Sequence, residues 1–522
     1  MKSLGAFALS LLFFAVLASA QPRYPMVRMA AWHETVGATD EVIPASAVFT
    51  YVRGAFTYNN YNLLAKLVPG IESEGVVHWA SEATEVRVED FPGGVRATFK
   101  LAGVSVTTEL VPLPVGRETP EADGAALYTV TGEPGRGLVV QVGGQTQPFN
   151  AFDWGPLRTS ETPSVPTVLA EGLATYTAGL DQVKVALSSS GEATSEPLRF
   201  SFPAGSAQVM LGFGEGETTA SKLAKADVSA LRAQVDTYYA KLLECRISTP
   251  EPNLDAAFRS ALYNLEYNWI EPFGWLECIH HWLMLWHMQH TAGAEWLGQA
   301  DRSASCTLYH GEHLLGAGAV PQLSPAGQTH RDFGGSNQFW GWQARHYWHF
   351  TGDVDFAQQL LEPLDKVLRQ TYEEYDQDDD GLLGWGLQIG NQEDFVATPW
   401  DGTTPTIEGI NLMKTRAELA RCLGDEATAR LWESHAAEVT SRLKQQLWLP
   451  DLGRFAYYKD AEGYFRLDGQ YHSLLYPALW GITDPLGSYT TVRQVRDRLT
   501  GASGAVYCSN NRSEEHTSEL QS

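Results

Sequence analysis

Residues 402–448, GTTPTIEGINLMKTRAELARCLGDEATARLWESHAAEVTSRLKQQLW, predict two consecutive helices joined by a tight turn. Gly424 can end the first helix, and the Asp425 carboxylate can cap the start of the second. In the second helix, apolar side chains recur at spacings of three and four residues, which is typical of one buried face. These side chains are Trp432, Ala436, Val439, Leu443 and Leu447. The stretch therefore predicts a helical hairpin.

Helical periodicity also precedes this hairpin, beginning after residue 216. Residues 219–244 form a predicted helical connector. Further helical segments are predicted at 253–268, 294–315, 336–353 and 355–376. Helices that alternate with short and long connections are typical of repeated helical hairpins, although no transferable sequence repeat is visible.

The N-terminal part of the chain has a period of two. Val95, Ala97 and Phe99 occupy alternate positions, and Pro92-Gly93-Gly94 and Ala102-Gly103 supply turns on either side. Many short strands separated by glycine and proline turns predict a large antiparallel β-sandwich over residues 21–215. A helical linker is then expected over residues 216–248.

The first 20 residues predict a secretory signal peptide. They contain Lys2, an apolar run, and Ala-Ser-Ala immediately before Gln21. No later apolar stretch reaches the roughly 18 residues that a membrane helix needs. We therefore expect a secreted or periplasmic protein with no membrane partner.

The composition is globular and acidic, with a formal net charge of −25 over 522 residues. An acidic surface repels nucleic acid and anionic lipid, so neither is expected as a partner, whereas a neutral substrate is compatible with it. The five cysteines follow no C-x-x-C spacing. They indicate neither a disulfide framework nor a zinc module, although one disulfide bridge stays open.

Strands, a helical linker and hairpins with long aromatic loops together resemble the six-hairpin glycosidase superfamily, which includes glucoamylases, trehalases, processing α-glucosidases and rhamnosidases. The acidic loop DQDDDGLLGW (376–385), the NQEDF segment (391–395) and the hairpin at 402–448 carry this resemblance. It implies a β-sandwich followed by an incomplete (α/α)6 barrel over residues 249–511.

The C-terminal tail, RSEEHTSELQS at 512–522, resembles the translated read-through of a sequencing adapter. If it is one, the natural chain continues past Asn511, and the polypeptide is a truncated fragment that we expect to be inactive. The alternative is a short polar tail.

Glu393 and Asp394 are the candidate catalytic residues. Glycoside hydrolysis needs a general acid and a second carboxylate that activates water or attacks directly. Glu393 lies where the resembling family carries its acid, between hairpins, and its neighbour Asp394 can orient it or bind a hydroxyl group. The alternative is an exposed loop pair.

Other acidic positions are weaker candidates. Asp401 and Glu408 follow the pair, but Glu408 is expected in the first turn of a helix, where it favours the helix dipole. The resemblance places the partner base late in the barrel, beyond Asn511. Asp468 and His472 are candidate pocket residues only.

Tryptophans and polar residues are concentrated in segments too aromatic for free loops and too polar for a plain core. Such groups suit the apolar faces and hydroxyl groups of sugars, whereas the alternative for each single tryptophan is helix packing. For Glu277, the alternative is a hydrogen-bonded structural carboxylate. The candidate substrate-binding residues are Trp275, Glu277, His280, His281, Gln289, Arg331, Asp332, Trp340 and Trp400.

Asp376, Asp378 and Asp380 alternate before Gly381, like the start of an EF-hand loop. The twelfth position is Leu387 instead of glutamate, so a complete EF-hand is excluded. A partial structural calcium site and an acidic turn both stay open. No cofactor is expected to be required.

The sequence thus predicts an exported glycoside hydrolase that acts on an oligo- or polysaccharide by carboxylate acid/base catalysis. Three alternatives stay open: a polysaccharide lyase, a glycoside phosphorylase on the same barrel, and a non-catalytic carbohydrate-binding protein. The sugar, the linkage, the stereochemical outcome and the oligomeric state are not indicated.

Overall fold

The computed structural model describes two compact units. The first comprises Met1–Ile270, Leu276–His281 and Ser324–Gln328, and the second comprises Glu271–Trp275, Trp282–Leu323 and Thr329–Ser522. Within them, the described residues are 25–29, 47–52, 60–113, 125–143, 149–150, 167–213 (except 171, 179–182, 196 and 204), 217–270, 274–275, 287–323, 329–330, 335–385 and 398–507 (except 470, 502, 503 and 505).

The first unit contains two eight-stranded sheets in which the paired strands run antiparallel. The strands are β1 (Pro25–Met29), β2 (Ala47–Val52), β3 (Asn60–Ser73), β4 (Val76–Trp79), β5 (Thr84–Phe91), β6 (Gly94–Leu101), β7 (Val104–Leu113), β8 (Ala125–Thr131), β9 (Gly137–Gly143), β10 (Phe149–Asn150), β11 (Thr167–Ala170), β12 (Leu173–Ala178), β13 (Val183–Ser189), β14 (Glu192–Ser195), β15 (Leu198–Phe202) and β16 (Ser206–Phe213). One sheet has the order β1-β2-β3-β9-β15-β14, with β4 and β10 also paired to β3. The other has the order β11-β12-β13-β16-β8-β7-β6-β5.

The β6–β7 hairpin shows why this region forms strands. Leu101 pairs with Val104 across a turn made by Ala102 and Gly103, both at positive φ (49° and 77°). Ala97, Phe99 and Leu101 are buried on one face, as the alternating pattern predicts. Buried side chains of both sheets, such as Ile71 of β3 and Phe99 of β6, belong to one hydrophobic cluster. The predicted antiparallel β region is thereby confirmed.

Three helices complete the described part of the first unit: α1 (Glu217–Ala224), α2 (Val228–Leu242) and α3 (Pro252–Asn268). Asp227 caps α2 by accepting a hydrogen bond from the Ala230 N–H at 3.0 Å. Val235 and Tyr239 of α2 share a hydrophobic cluster with Val111 of β7. The predicted helical connector is therefore present as two helices, α1 and α2.

The second unit is helical. Its helices are α4 (His287–Trp296), α5 (Ala300–Glu312), α6 (Ser336–Thr351), α7 (Val354–Tyr375), α8 (Thr403–Cys422), α9 (Glu426–Leu447), α10 (Tyr471–Leu479) and α11 (Pro485–Leu499). Short strands of two residues accompany them: β17 (Trp269–Ile270, which falls in the first unit), β18 (Gly274–Trp275), β19 (Gln322–Leu323), β20 (Thr329–His330), β21 (Asp401–Gly402), β22 (Trp448–Leu449), β23 (Arg454–Phe455), β24 (Tyr458–Lys459) and β25 (Phe465–Arg466). In the described part of the chain, no helix combines the length and apolar character needed to cross a bilayer.

The hairpin at residues 402–448 is confirmed as α8 and α9. Gly424 has φ 81°, and Asp425 accepts a hydrogen bond from the Thr428 N–H at 3.0 Å. The prediction of one helix at 294–315 was wrong, because the chain turns between Trp296 and Ala300. Gly298 occupies that turn at φ 81°, a conformation that glycine adopts without the strain of a Cβ atom.

The even-numbered helices α4, α6, α8 and α10 form a row in which each contacts the next. The helices α6 and α8 are parallel, since Gly341 lies beside Thr415 and Arg345 lies beside Glu418. The helix α5 runs against α6, since Trp340 contacts Gly311 and Gln343 contacts Cys306. Because α4 and α5 are joined by a three-residue turn, α4 runs in the direction of α6. The N-terminal ends of α4, α6 and α8 therefore lie at the same end of the row.

Candidate functional site

In the sequence, seven of the predicted site residues come shortly before α4, α6 or α8. Glu277, His280 and His281 precede α4, Arg331 and Asp332 precede α6, and Glu393 and Asp394 precede α8. All seven lie outside the described residues, as does the side chain of Gln289 in α4. Their assignment stays a prediction.

A backbone hydrogen bond joins the two residues that flank the segment carrying Glu393 and Asp394. The Trp385 N–H donates a hydrogen bond to the Thr398 carbonyl at 2.9 Å. The Thr398 hydroxyl also lies 3.0 Å from the Tyr457 hydroxyl, and both groups are buried. Trp385 and Thr398, which flank residues 386–397 in the chain, are thus held together directly before α8.

Of the predicted aromatic residues, Trp275 and Trp340 are fully buried. The Trp275 ring is stacked with the His290 ring, with centroids 6.4 Å apart. The Trp340 indole N–H donates to the Thr307 carbonyl at 2.9 Å, which joins α6 to α5. This geometry of Trp340 corresponds to the helix-packing alternative.

Trp400 is partly buried and has a left-handed backbone conformation, with φ 63°. A Cβ atom at Gly384 would lie only 1.8 Å from the Trp400 carbonyl oxygen, so glycine is required there. Left-handed backbone is strained for a bulky residue, and such strain concentrates at ligand-binding segments. The strain therefore marks the start of α8 as a candidate binding position.

Asp401 is buried immediately before α8 and forms an ion pair with Lys459, with Oδ2 and Nζ 2.6 Å apart. The two residues also face each other across the β21–β24 pair. Burial raises the pKa of Asp401 to about 6, although the hydrogen bond from Lys459 opposes that rise. Asp401 therefore titrates closer to neutrality than an ordinary aspartate.

The structure places Glu408 differently from its expected position in the first helical turn. The helix α8 begins at Thr403, so Glu408 is in its second turn, and it is only 3% exposed. Burial raises the pKa of Glu408 to about 8, and the neighbouring Asn411 amide only partly offsets this effect. The carboxyl is thus largely protonated at pH 7. A sequence signal existed, because Glu408 and Asn411 lie among the apolar residues Ile407, Ile410 and Leu412 at helical spacing.

Asp468 and His472 lie near the start of α10. The Asp468 carboxylate is 2.6 Å from Arg466 Nε, and its carbonyl accepts a hydrogen bond from Arg454 at 3.3 Å. His472 is buried and lies edge-on to the rings of Tyr471 and Tyr476. These contacts assign neither residue a catalytic role.

The three aspartates of the acidic loop come together, with one oxygen atom from each of Asp376, Asp378 and Asp380 within 4.8 Å of the others. The Asp376 carboxylate already accepts hydrogen bonds from the N–H groups of Asp380 and Gly381, at 3.0 and 2.9 Å. The Asp380 carboxylate accepts from the Leu382 N–H at 2.8 Å and from Gln446 at 2.6 Å. The donor set fits a cation, and the turn is also hydrogen-bonded without one.

Comparison with known proteins gives similarity in structure only. No protein-family model matches the sequence, and no curated protein matches it. A bacterial glucoamylase complexed with acarbose superposes with a TM-score of 0.58 at 10% identity, over 94% of this chain and 82% of that one. An α-mannosidase of family GH92 from Bacteroides thetaiotaomicron gives 0.53 at 12% identity, over 88% and 69%. A human-microbiome protein described as a kojibiose phosphorylase gives 0.50 at 9% identity, over 84% and 73%.

Proposed function

We propose that this chain, which has the fold of the (α/α)6-barrel glycosidase-type proteins, is an exported glycoside hydrolase. In this proposal the two sheets of the first unit pack as a β-sandwich, and the helices of the second unit belong to an (α/α)6 barrel. The fold supports a carbohydrate-active enzyme. The substrate is a neutral oligo- or polysaccharide, in keeping with the net charge of −25.

One observation carries the proposal. The N-terminal ends of α4, α6 and α8 lie at one end of the helical row, and each is preceded in the chain by a segment of aromatic, acidic or basic residues suited to a sugar. The buried ionisable groups of Asp401 and Glu408 lie at the start of α8. Perturbed carboxyl groups of this kind concentrate at functional sites.

In the proposed mechanism, Glu393 donates a proton to the glycosidic oxygen as the bond from that oxygen to the anomeric carbon breaks. Asp394 orients the acid or holds a hydroxyl group of the sugar. Water then adds to the anomeric carbon and gives up a proton to a second carboxylate. The identity of that carboxylate is not assigned.

The test takes the alternative in which residues 512–522 are a short polar tail and the chain is active. It is hydrolysis of a sugar panel by the purified chain, with products separated by anion-exchange chromatography. The panel contains maltose, kojibiose, a mannobiose and matching nitrophenyl glycosides, and acarbose serves as a non-hydrolysed ligand. Glu393→Gln is expected to abolish turnover and leave sugar binding within a few-fold. Glu433→Gln is the control, since Glu433 forms an exposed ion pair with Arg421 on the helical surface. Hydrolysis that is equal in Glu393→Gln and the unmodified chain would rule out this acid.

A glycoside phosphorylase is the second candidate, because one of the similar structures is described as a kojibiose phosphorylase. A phosphorylase transfers the glycosyl group to inorganic phosphate, so turnover would require phosphate and release a sugar phosphate. Phosphate-independent release of free sugar favours the hydrolase. A lyase would instead give an unsaturated product with ultraviolet absorbance, and a non-catalytic binder would give no product.

A further inference from the structure

Three buried side chains of α6 and α8 carry polar atoms without hydrogen bonds. They are Gln338, Glu408 and Asn411, which are 0%, 3% and 1% exposed. Both amide atoms of Gln338, both amide atoms of Asn411 and Oε2 of Glu408 have no partner within 3.5 Å in the described part of the chain, so the Asn411 amide acts on the Glu408 carboxyl only from a longer distance. Buried polar groups are almost always paired, so five unpaired atoms at one helix interface need a physical explanation.

The contacts between α6 and α8 place the three residues at the same level of the two helices. On α8, Glu408, Asn411 and Thr415 recur at spacings of three and four residues and therefore share one face. That face borders α6, because the Thr415 hydroxyl, which donates to the Asn411 carbonyl at 2.9 Å, lies 3.4 Å from the Gly341 carbonyl oxygen. Gln338 precedes Gly341 by three residues, about one helical turn. Gln338 thus lies opposite Glu408 and Asn411, near the N-terminal ends of both helices.

The other buried amides of α6 are paired at one or both of their polar atoms. Asn337 accepts a hydrogen bond from the Val320 N–H at 2.8 Å and donates to the Thr371 hydroxyl at 3.0 Å. Gln343 donates through Nε2 to the Thr307 hydroxyl on the α5 side, while its Oε1 has no partner among the described residues. Asn337 and Gln343 thus each have at least one paired amide atom, whereas both amide atoms of Gln338 on α6 and of Asn411 on α8 are unpaired.

We propose that Gln338, Glu408 and Asn411 form a polar floor that binds hydroxyl groups of a neutral sugar. This inference rests on the proposed function and names the residues that hold the sugar. Each amide offers a donor and an acceptor, and a carboxyl group can do the same when protonated, which matches the dual character of a sugar hydroxyl. Without a basic side chain among the three, the floor favours a neutral ligand over an anionic one.

Burying these groups without partners costs free energy, and a ligand that pairs them recovers that free energy. This recovery distinguishes a binding site from a packing defect. Replacing Gln338 by its apolar near-isostere should then leave folding intact or improve it, while sugar binding weakens. A packing defect would leave folding intact or improved without weakening sugar binding.

The test is binding of acarbose, maltose and mannobiose, measured by tryptophan fluorescence and calorimetry on the full chain. For the tightest of these ligands, Gln338→Met and Asn411→Leu should each weaken binding by about tenfold or more, with an unchanged or higher melting temperature. Glu408→Leu, which removes both the donor and the acceptor of this side chain, should weaken binding to a similar extent. Gln338→Asn, which keeps the amide but shortens it, should also weaken binding and serves if the methionine variant does not fold.

Gln343→Met is the matched control, because it makes the same change on the same helix but on the face toward α5. It should lower stability by removing the bond to Thr307 and leave sugar affinity unchanged. Equal sugar affinity in the unmodified chain, Gln338→Met and Asn411→Leu overturns the floor while leaving the proposed function intact. If the unmodified chain binds none of the three sugars and produces no hydrolysis, the proposed function fails, and the inference fails with it.

Discussion

Lys459 Nζ lies 2.6 Å from the carboxylate of the buried residue Asp401, so the strand that leads into α8 is held by an ion pair. Lys459 also contacts the Gln446 side chain, which in turn donates to Asp380 of the acidic loop at 2.6 Å. The start of α8, the end of α9 and the acidic loop are therefore connected by one series of polar contacts. These contacts lie beside Trp385 and Thr398, which flank the segment that carries the predicted acid.

Lys459→Met should destabilise the helical unit by about 3 kcal/mol, because it leaves the Asp401 carboxylate buried without its cation. Urea unfolding at pH 7.5 measures the loss. The double variant Asp401→Asn/Lys459→Met should recover much of it, since no buried charge then remains. Equal stability of Lys459→Met and the unmodified chain would contradict the assigned ion pair.

Glu408 should make folding less stable as the pH rises. Its folded pKa is raised to about 8, above the ordinary value of 4.5, so the folded state binds the proton more tightly than the unfolded state. The stability is complete below about pH 4.5 and falls progressively as the pH approaches and passes 8. Glu408→Gln should flatten this dependence and stabilise the protein at pH 9 by up to about 4 kcal/mol. Unfolding curves from pH 5 to 9 test this, and parallel pH profiles for the two proteins would refute it.

Glu295→Leu should cost about 3 kcal/mol of unfolding free energy. The Glu295 carboxylate is 1% exposed and accepts hydrogen bonds from the Ser303 hydroxyl and from His346 Nδ1, both at 2.5 Å. Its removal leaves both partners without an acceptor at the α4–α5–α6 junction. His349→Gln is the control, because the ion pair of His349 with Glu418 is largely exposed and should contribute less than about 1 kcal/mol.

Calcium at millimolar concentration should raise the melting temperature by about 1–3 °C, because a bound cation relieves repulsion among Asp376, Asp378 and Asp380. A chelator should reverse the rise, and sodium at equal ionic strength should not reproduce it. Asp378→Asn should abolish the response, and calcium titrations followed by differential scanning fluorimetry measure it. A melting temperature that is independent of calcium indicates the hydrogen-bonded acidic turn instead.

Local sequence patterns predicted much of the secondary structure, and their failures are also local. Gly424 and Asp425 locate the α8–α9 turn, whereas Gly298 lies inside an equally periodic stretch that predicts one helix, although the chain turns there between α4 and α5. The sequence predicts Glu408 in the first turn of α8, but the helix begins at Thr403 and Glu408 lies in its second turn. Whether a helix ends near a glycine, and where a helix begins, depends on contacts with other elements as well as on neighbouring residues.

The sequence by itself determined the β-rich and helical halves, because periods of two and 3.6 residues are properties of consecutive positions. It also located the segments with aromatic and acidic residues. Only the tertiary structure decided that α6 and α8 run parallel, which brings the turn of α6 with Gln338 level with the turn of α8 that holds Glu408 and Asn411, some 70 positions away in the chain. Such a meeting depends on the packing of whole helices against one another, and no local period encodes it.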